Sequence, residues 1–573
     1  MEIIKKIFKK PSGQKAKSLK TLALFLGAVL VVNVAASFLF FRLDLTSDKR
    51  FTLSQVTKDK LKGVKDVVYV KVYLDGDMPI AFKKMKRSVK EMLDEFAAYS
   101  GGNVQYEFVN PAAESGKKQN ALYEDLYKKG LRPVNVQEKN AEGGINQRTL
   151  FPGAIVSYNG YEIGINLLTS NSRVTPEESI NIGAQNLEYN LVSAIDMIMK
   201  KELPKIAFIQ GHDELDAMHA QGALQLLSER FNIDSISIRG RMGALDGFST
   251  AIIAKPLKKW SEADKLVLDQ YIMHGGKVAW FIDAITVNDD SLASGEVTFG
   301  LVNEHNLDDQ LFKYGVRINP TVLQDAQSVL IPVNMAVPGA QPQFVPSPWY
   351  YYPLLNAPND NIITKNLNVV YSKYPSSIDT VGVGHNIKKT VLLSTSQYAR
   401  EIQAPVMVSL AQVTRKFKPG DFNRAWAPVA MLLEGQFASA FQNRMIPGVV
   451  GDGKPLVNRS KPTKMVVVAD GDIIRNDVQR SASGVMPYPL GFDKYMNQQF
   501  GNKDFLLNAI SYLNDDTGLM QIRNRELVVR MLDKNKIYTQ RTMWVFINTA
   551  IPLLLLVAFS IVFIWLRKRK YAR

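Results

Sequence analysis

The 573-residue chain contains no cysteine and only five histidines. The absence of cysteine excludes disulfide bonds, thiol nucleophiles and cysteine-based metal sites. The sequence also lacks the Walker A pattern of phosphate-binding loops, the Gly-x-Ser-x-Gly pattern of a nucleophile elbow and the His-Glu-x-x-His pattern of zinc proteases. We therefore predict no catalytic residues, no cofactor and no metal. If this protein works with ATP, the ATPase is another chain.

Two long runs without charge lie near the ends of the chain, at residues 21–41 and 542–566. At 1.5 Å per residue they reach roughly 31 Å and roughly 37 Å, enough to cross the hydrocarbon core of a bilayer. Trp544 and Trp565 lie near the two ends of the second run, where aromatic rings favour the membrane interface. We predict two transmembrane helices, the second with Trp544, Trp565, Arg567 and Lys568 at the interface.

Each run also has a simpler interpretation. The first can be a cleaved signal peptide, because Ala35, Ala36 and Ser37 are small residues of the kind that a signal peptidase accepts. However, the apolar region of a signal peptide is about 7–15 residues long, and this run is longer. The second can be a buried core helix, although its length, its lack of charge and its basic end argue against this. We therefore predict an uncleaved anchor at each end.

Basic residues flank the outer ends of both runs. Residues 1–20 carry a net charge of +6 and residues 567–573 carry +5, which leaves about +5 of the formal net charge of +16 for the rest. Positive flanks stay on the cytoplasmic side of a membrane. Both termini are therefore predicted to be cytoplasmic, with residues 42–541 outside. The charge of the tails suits an anionic membrane surface, and we predict no nucleic-acid partner.

Residues 42–202 show the pattern of a first α/β domain. Strands at 67–74 and 104–109 enclose a helix from Pro79 to about Tyr99, and such a βαβ unit predicts parallel strands. Further elements follow, which are a helix at 119–129, strands at 133–138, 150–158 and 161–168, and a long helix near 176–201. This order is similar to that of a thioredoxin-like domain. Because the redox cysteines are absent, we expect such a domain to be a scaffold.

Residues 203–520 alternate short apolar strands with helices, a pattern typical of an open, mostly parallel, Rossmann-like sheet with helices on both faces. Within this domain, residues 331–358 contain seven prolines and are predicted to form a loop rather than a helix or a central strand. Trp349 and Tyr350 in this loop are candidate partner contacts. Residues 521–541 form a juxtamembrane segment before the second span.

Polar residues follow several strands of the second domain, where ligands often bind in α/β sheets. His212 and Asp213 follow the first strand and can hold a metal or transfer protons, but they also suit an acidic turn that caps the next helix. Asp470 and Asp472 can bind a divalent cation or form an ordinary turn. Asp283 ends its own strand and has the same two interpretations. The structural interpretation is favoured for each group.

Four collinear segments resemble ABC-transporter auxiliary proteins of the gliding-motility type in Bacteroidetes. They are residues 44–54, 208–214, 268–283 and 501–513, the last followed by Ile522 and Arg523. The resemblance implies a permease partner in the bacterial inner membrane, a separate cytoplasmic ABC ATPase, and a periplasmic body that meets cell-envelope or motility proteins. It also implies that the second domain is related to modules of intraflagellar-transport proteins, which bind partners rather than catalyse. It supplies no catalytic residues.

Two functions follow from these observations. The first is a non-catalytic, membrane-anchored subunit of an ABC complex, whose exterior domains bind a partner or cargo. The alternative is an anchored exterior hydrolase or ligand-binding protein that uses His212, Asp213, Asp283 and Asp470. The alternative requires these side chains to converge, because catalytic groups must reach one substrate.

Overall fold

A computed structural model describes residues 13–38, 52–139, 145–168, 175–200, 202–524 and 539–571. Within the fifth range the gaps are residues 296, 337–339, 383–386, 416, 443, 445, 452, 454 and 482–483. The chain forms two compact units, residues 1–525 and residues 526–573. Parts of the predictions lie outside the described residues. These parts are the first twelve residues of the basic tail, residues 39–41 of the first predicted span, most of the 44–54 segment, residues 525–538 of the juxtamembrane segment and Arg573.

The elements of the first unit up to residue 200 are α1 (Gly13–Phe38), α2 (Gln55–Lys62), β1 (Val68–Val72), α3 (Ile80–Tyr99), β2 (Val104–Phe108), α4 (Lys117–Lys128), β3 (Val134–Lys139), β4 (Ile145–Leu150), β5 (Gly153–Tyr158), β6 (Tyr161–Asn166), α5 (Pro176–Gln185) and α6 (Leu187–Ile198). A four-stranded sheet has the order β2-β1-β5-β6. The strands β1 and β2 are parallel, as the βαβ pattern predicts, and β5 and β6 are antiparallel to their neighbours. Alternate valines of β1 are buried and contribute to the core beneath α3 and α6.

Two element boundaries in this region differ from the prediction. The predicted strand at 150–158 begins later, at Gly153 of β5, because Pro152 cannot donate a ladder hydrogen bond, and most of β4 was not predicted. The predicted long helix near 176–201 is two helices, α5 and α6, which meet at Asn186. Asparagine competes with the helix by bonding to nearby backbone groups, so it favours helix ends over helix interiors.

The elements from residue 203 to residue 325 are β7 (Lys205–Ile209), α7 (Ala217–Ser228), β8 (Asn232–Ile236), β9 (Thr250–Ala254), α8 (Glu262–Met273), β10 (Lys277–Phe281), β11 (Ile285–Thr286), α9 (Asp289–Gly295), β12 (Val297–Val302), α10 (Asp308–Tyr314), β13 (Val316–Ile318) and β14 (Thr321–Asp325). Those from residue 328 to residue 513 are β15 (Ser328–Asn334), β16 (Phe344–Leu355), β17 (Val370–Tyr371), β18 (Ile378–Thr380), β19 (Ile387–Ser394), β20 (Ala399–Gln403), β21 (Val406–Ser409), β22 (Pro428–Gly435), β23 (Thr463–Val468), β24 (Val478–Ser481), β25 (Gly484–Pro487), β26 (Phe492–Asp493), β27 (Gln498–Gln499) and α11 (Asn502–Leu513).

A seven-stranded sheet organises the second domain, in the order β19-β22-β23-β10-β9-β7-β8. The five strands from β23 to β8 are parallel, whereas β22 and β19 are antiparallel to their neighbours. Every residue of β9 is buried, as expected for a parallel strand that helices cover on both faces. One face packs against α7 and α11, and the other packs against α8 and α10. The carboxyl ends of the central strands consequently share one edge.

The predicted loop at 331–358 is wrong, because most of this segment forms a β-hairpin. Strand β16 pairs with β15 on one side and with β17 on the other. Prolines are tolerated because β17 pairs with Leu354 and Leu355 alone, so the strand is open on that side around Pro346 and Pro348. Burial of aromatic side chains then stabilises the strand, with Trp349 only 1% exposed.

The second unit contains helix α12 (Arg541–Tyr571). Among the described residues, one helix is long and apolar enough to cross a membrane. It covers Arg541–Arg569, and an 18-residue stretch within it has a mean hydropathy of 2.6. Trp544 and Trp565 lie within it, and the basic residues Arg567 and Lys568 lie at its end. The apolar part of α1, Lys20–Val34, is shorter. The first predicted span therefore stays a prediction.

Candidate functional site

Three neighbouring parallel strands bring charged side chains to one edge of the seven-stranded sheet. Lys255 directly follows β9, and Asp283 follows β10 by two residues. Asp470 follows β23 by two residues and begins a short 3-10 turn that includes Asp472. Because β9, β10 and β23 are adjacent and parallel, their carboxyl ends deliver these residues to one place. We call Lys255, Asp283, Asp470 and Asp472 the ionic cluster.

Lys255 lies at the centre of the ionic cluster. Its Nζ is 2.5 Å from Asp283 Oδ2 and 2.5 Å from Asp472 Oδ2. Its backbone adopts a φ of +55°, a left-handed conformation that costs on the order of 1 kcal/mol for a residue with a side chain. Gly471 permits the close packing, since a Cβ there would lie 2.6 Å from Lys255 Cβ. The turn at Gly471 therefore packs directly against Lys255, and a larger residue at position 471 would clash with it.

The remaining polar atoms of the cluster also have partners. Asp470 Oδ1 accepts the backbone N–H of Asp472 at 2.7 Å, and its Oδ2 accepts the N–H of Lys373 at 2.9 Å. Arg475 Nη1 lies 3.2 Å from Asp472 Oδ1. The side chain of Lys373 pairs with Asp477 at 2.7 Å. The cluster therefore fastens the turn after β23 to β9, to β10 and to the segment around residue 373.

Burial and charge set the protonation of the cluster. Burial raises the pKa of Asp472, but the cations Lys255, Arg475 and Lys373 outweigh it and hold the pKa below the usual range. Burial lowers the pKa of Lys255, yet Asp283 and Asp472 raise it overall. Burial, Asp472 and Asp283 together hold the pKa of Asp470 well above its usual value. At neutral pH the cluster accordingly contains a Lys255–Asp472 ion pair, with Asp470 as the carboxyl most easily protonated.

The cluster also resembles a cation site in its donor set. One carboxylate oxygen from each of Asp283, Asp470 and Asp472 lies within 4.8 Å of the others, and such oxygens are typical ligands of Mg²⁺ and Ca²⁺. However, the Lys255 ammonium contacts two of the three carboxylates and supplies positive charge from within the chain. The geometry therefore suits a structural ion-pair cluster.

His212 lies in a separate polar group after β7. Its Nδ1 is 3.1 Å from Glu214 Oε1, and its Nε2 is 3.1 Å from Asp264 Oδ2. The ring stacks on Trp260 with centroids 4.0 Å apart. Burial lowers the pKa of His212, but its hydrogen bonds to Asp264 and Glu214 outweigh burial and raise the pKa to about 9. At neutral pH the ring is therefore an imidazolium with both N–H groups bonded to carboxylates, which leaves no free nitrogen to act as a base.

The side chains of His212 and Asp213 make their bonds outside the ionic cluster. Among the described residues, no hydrogen bond or ion pair joins His212 or Asp213 to Asp283, Asp470 or Asp472. Asp213 is exposed, and its Oδ1 lies 3.7 Å from Lys258 Nζ. The structure thus brings together Asp283, Asp470 and Asp472, and among the described residues it gives the side chains of His212 and Asp213 other partners. Asp213 has no place in a buried site.

The two aromatic candidates of the proline-rich segment also separate. Trp349 is buried, and its ring packs 5.1 Å from that of Tyr351. Tyr350 points the other way along β16 and is half-buried, with its ring 4.6 Å from that of Phe417. Trp349 is therefore a core residue, whereas Tyr350 remains accessible for contact.

Sequence reasoning missed Lys255 and Asp264. Lys255 had a usable signal, because it follows a buried strand as Asp283 and Asp470 do. Asp264 had none, since it lies in the first turn of α8 and fits the ordinary preference for acidic residues there. Its bond to His212 depends on how α8 packs beside β7, which a local pattern does not contain.

The fold and the site define a mixed α/β protein with one candidate membrane helix and an internally paired ionic cluster. A family model described as "ABC-type uncharacterized transport system" matches residues 203–509, which include the whole seven-stranded sheet. This chain belongs to that family of ABC-transport auxiliary proteins. A second model, described as a domain of unknown function, matches residues 47–157. The chain is thus associated with an ABC transport system.

Comparison with individual proteins adds distant likenesses. An uncharacterized protein of Borreliella burgdorferi is 20% identical over 422 residues, which cover 70% of this chain and 75% of that protein. The mmIFT52 N-terminal domain is similar at 12% identity and a TM-score of 0.31, over 54% of this chain and 97% of that structure. A thua-like protein of Parabacteroides merdae has 12% identity and a TM-score of 0.27, over 58% of this chain and 94% of that structure.

Proposed function

We propose that this chain is a non-catalytic, membrane-anchored auxiliary subunit of an ABC transporter complex, and that its body binds a partner or cargo. The family match over residues 203–509 supports this proposal most strongly. Helix α12 supplies a means of attachment to the bilayer beside a permease. The lack of a Walker A motif makes a separate ABC ATPase the source of energy.

The chemistry of the site supports a scaffold rather than an enzyme. The carboxylates of the ionic cluster bond to Lys255, Arg475 and backbone N–H groups of the same chain, and His212 is held by two carboxylates. A general base must reach a substrate proton, whereas Asp283 and Asp470 are buried and both ring nitrogens of His212 bond to carboxylates. Their contribution is to fix the loops at the carboxyl edge of the sheet.

Finer features of the proposal come from the sequence resemblance. We place both termini in the cytoplasm, with α1 as a second span and the body in the periplasm of the bacterial inner membrane. We further propose that the complex serves gliding motility or secretion, as in the GldG type of auxiliary subunit, and that cell-envelope or motility proteins are partners. The first sheet would be a thioredoxin-like scaffold and the second a Rossmann-like module.

Affinity purification of the tagged full-length chain from solubilised membranes tests the proposal. We expect an ABC permease and an ABC ATPase to co-purify with it. The matched control replaces α12 with an unrelated transmembrane helix of equal length, which keeps the anchor but removes specific helix contacts and should reduce recovery of the permease. If the intact chain brings down neither subunit, the auxiliary role is wrong.

The second candidate function is an anchored hydrolase or ligand-binding protein, and the convergence of Asp283, Asp470 and Asp472 favours it. Under this alternative, Asp283→Asn would abolish activity while leaving folding and recovery of the permease unchanged. Under the auxiliary role, the cellular function depends only on folding and assembly. An Asp283→Asn variant that folds and recovers the permease should therefore also support that function.

A further inference from the structure

A surface formed by β20 and the loop between β21 and β22 carries two arginines that form no ion pair among the described residues. Arg400 lies on β20, and Arg415 lies in the loop between β21 and β22. Both guanidinium groups cover the same ring, with their carbons 5.2 Å and 5.1 Å from the centroid of Phe417. Among the described residues, neither guanidinium forms an ion pair. Two like charges thus converge on one aromatic ring.

A third arginine nearby shows the contrast. Arg424 reaches Asp379 Oδ1 at 2.5 Å and Glu401 Oε2 at 3.4 Å, so its charge is neutralised within the chain. Burial, followed by the adjacent charge of Arg415, lowers the pKa of Arg400, and Tyr351 and Asp421 offset this only in part, as expected for a partly buried cation without an ion pair. An external anion placed between Arg400 and Arg415 would relieve this repulsion.

Further aromatic side chains extend the same surface. The ring centroid of Phe422 lies 5.8 Å from that of the half-buried Phe417, and the ring centroid of Tyr398 lies 5.7 Å from that of Phe422. Tyr398 is 53% exposed and Trp426 is 56% exposed. We call Tyr398, Arg400, Arg415, Phe417, Phe422 and Trp426 the arginine–aromatic surface. Tyr350 borders it through its contact with Phe417.

The backbone holds this surface in a fixed form. Arg424 N donates to Ala399 O at 3.2 Å, and Trp426 N donates to Ser396 O at 3.0 Å, so the loop before β22 is tied to β20 and the residues before it. Trp426 adopts a φ of +55°, an unfavourable conformation for a bulky residue. Burial of the Trp426 ring does not stabilise this backbone conformation, because the ring is exposed. Residues with such unfavourable backbone conformations concentrate at functional contact sites.

We propose that the arginine–aromatic surface is a docking site for an acidic segment of a partner protein. Tryptophan, tyrosine and arginine are the residues that carry most binding energy in protein interfaces, and the two guanidinium groups complement carboxylates in charge and shape. Acidic groups flank the two arginines, since Asp379 and Glu401 pair with Arg424 and the charge of Asp421 acts on Arg400. These flanking groups disfavour an extended polyanion such as an anionic membrane. A discrete segment with few carboxylates beside apolar side chains suits this surface. The proposal does not depend on the transport role.

The test measures binding of the purified full-length chain in detergent to a fluorescein-labelled peptide in which glutamates alternate with aromatic residues. The comparison peptide has glutamine in place of glutamate. We expect the native chain to prefer the glutamate peptide by about tenfold, because hydrogen bonds between a guanidinium and a carboxylate are stronger than those to a neutral amide. Arg400→Gln/Arg415→Gln should abolish this preference, and Trp426→Ala should weaken both peptides alike. The control Arg241→Gln removes an exposed arginine elsewhere and should change neither affinity.

Several outcomes would overturn the assignment. One is failure of the native chain to bind the glutamate peptide, and another is an unchanged preference in the double variant. Displacement of the peptide by inorganic phosphate, or by phosphatidylglycerol vesicles at equal concentration of charge, would assign the surface to simple anions or to lipid instead. An unchanged melting temperature of each variant in the same detergent establishes that loss of binding does not reflect unfolding.

Discussion

Lys255→Met should destabilise the second domain by about 3–5 kcal/mol, because removal of one partner leaves the opposite charges buried and unpaired. In the native chain the Lys255 ammonium contacts both Asp283 and Asp472, and those carboxylates are 9% and 7% exposed. Urea unfolding of the full-length chain in detergent, followed by tryptophan fluorescence, measures the effect. Trp260 and Trp280 are buried in this domain and report on its integrity.

The control for this variant is Lys258→Met. Lys258 lies three residues along the chain, but its side chain is 71% exposed and its contact with Asp213 is long. Exposed ion pairs contribute about 0–1 kcal/mol, so this variant should unfold almost as the native chain does. The charge-balanced double variant Lys255→Met/Asp283→Asn should recover much of the lost stability, since Asp472 keeps its pair with Arg475. Equal stability of Lys255→Met and Lys258→Met would show that the ionic cluster is not a structural element.

His212→Gln should cost about 3 kcal/mol at pH 6, and the cost should decline as the pH rises toward 9. In the folded chain the pKa of His212 is raised from 6.5 to about 9, and each pKa unit corresponds to about 1.4 kcal/mol of interaction. Because the folded pKa exceeds the unfolded pKa, this contribution is complete below pH 6.5. It is lost progressively as the pH rises through about 9.

Unfolding of both proteins at pH 6 and at pH 9.5 measures this prediction. The difference in unfolding free energy between native chain and variant should be large at the lower pH and small at the higher one. His219→Gln serves as the control for loss of an imidazole elsewhere in the same domain, where the partner Asp216 is exposed. If the cost of His212→Gln is the same at both pH values, the imidazolium between Glu214 and Asp264 is not what stabilises this turn.

The elements best predicted from sequence are those whose pattern is local. The β-branched run at β1 and the apolar strands β7, β9, β10 and β23 appear where the pattern places them, because strand propensity and burial agree there. Strand β16 was missed because its prolines oppose strand formation locally. Long-range pairing with β15 and burial of Trp349 decide its conformation, and neither is present in the local sequence.

The candidate site was predicted in part for the same reason. Position at the end of a parallel strand indicated that Asp283 and Asp470 would share an edge, and they do. The alternative function required His212 to converge with them, whereas its ring nitrogens bond to Glu214 and to Asp264 of α8. The sequence also did not show that Lys255 would neutralise these carboxylates. Lys255 reaches Asp283 and Asp472 only because β9, β10 and β23 lie side by side. Sequence gives the order of residues along each strand, whereas these contacts depend on the order of strands in the sheet.

We propose that this ABC-transport auxiliary subunit acts by assembly and not by chemistry at the ionic cluster. The decisive experiment is affinity purification of Lys255→Met/Asp283→Asn from native membranes, combined with a cellular test of the function that requires the chain. We expect the double variant to recover the permease and the ATPase in the native ratio and to support that function. If the variant folds and assembles with both subunits but loses the function, the proposal is wrong, because the cluster would then carry chemistry.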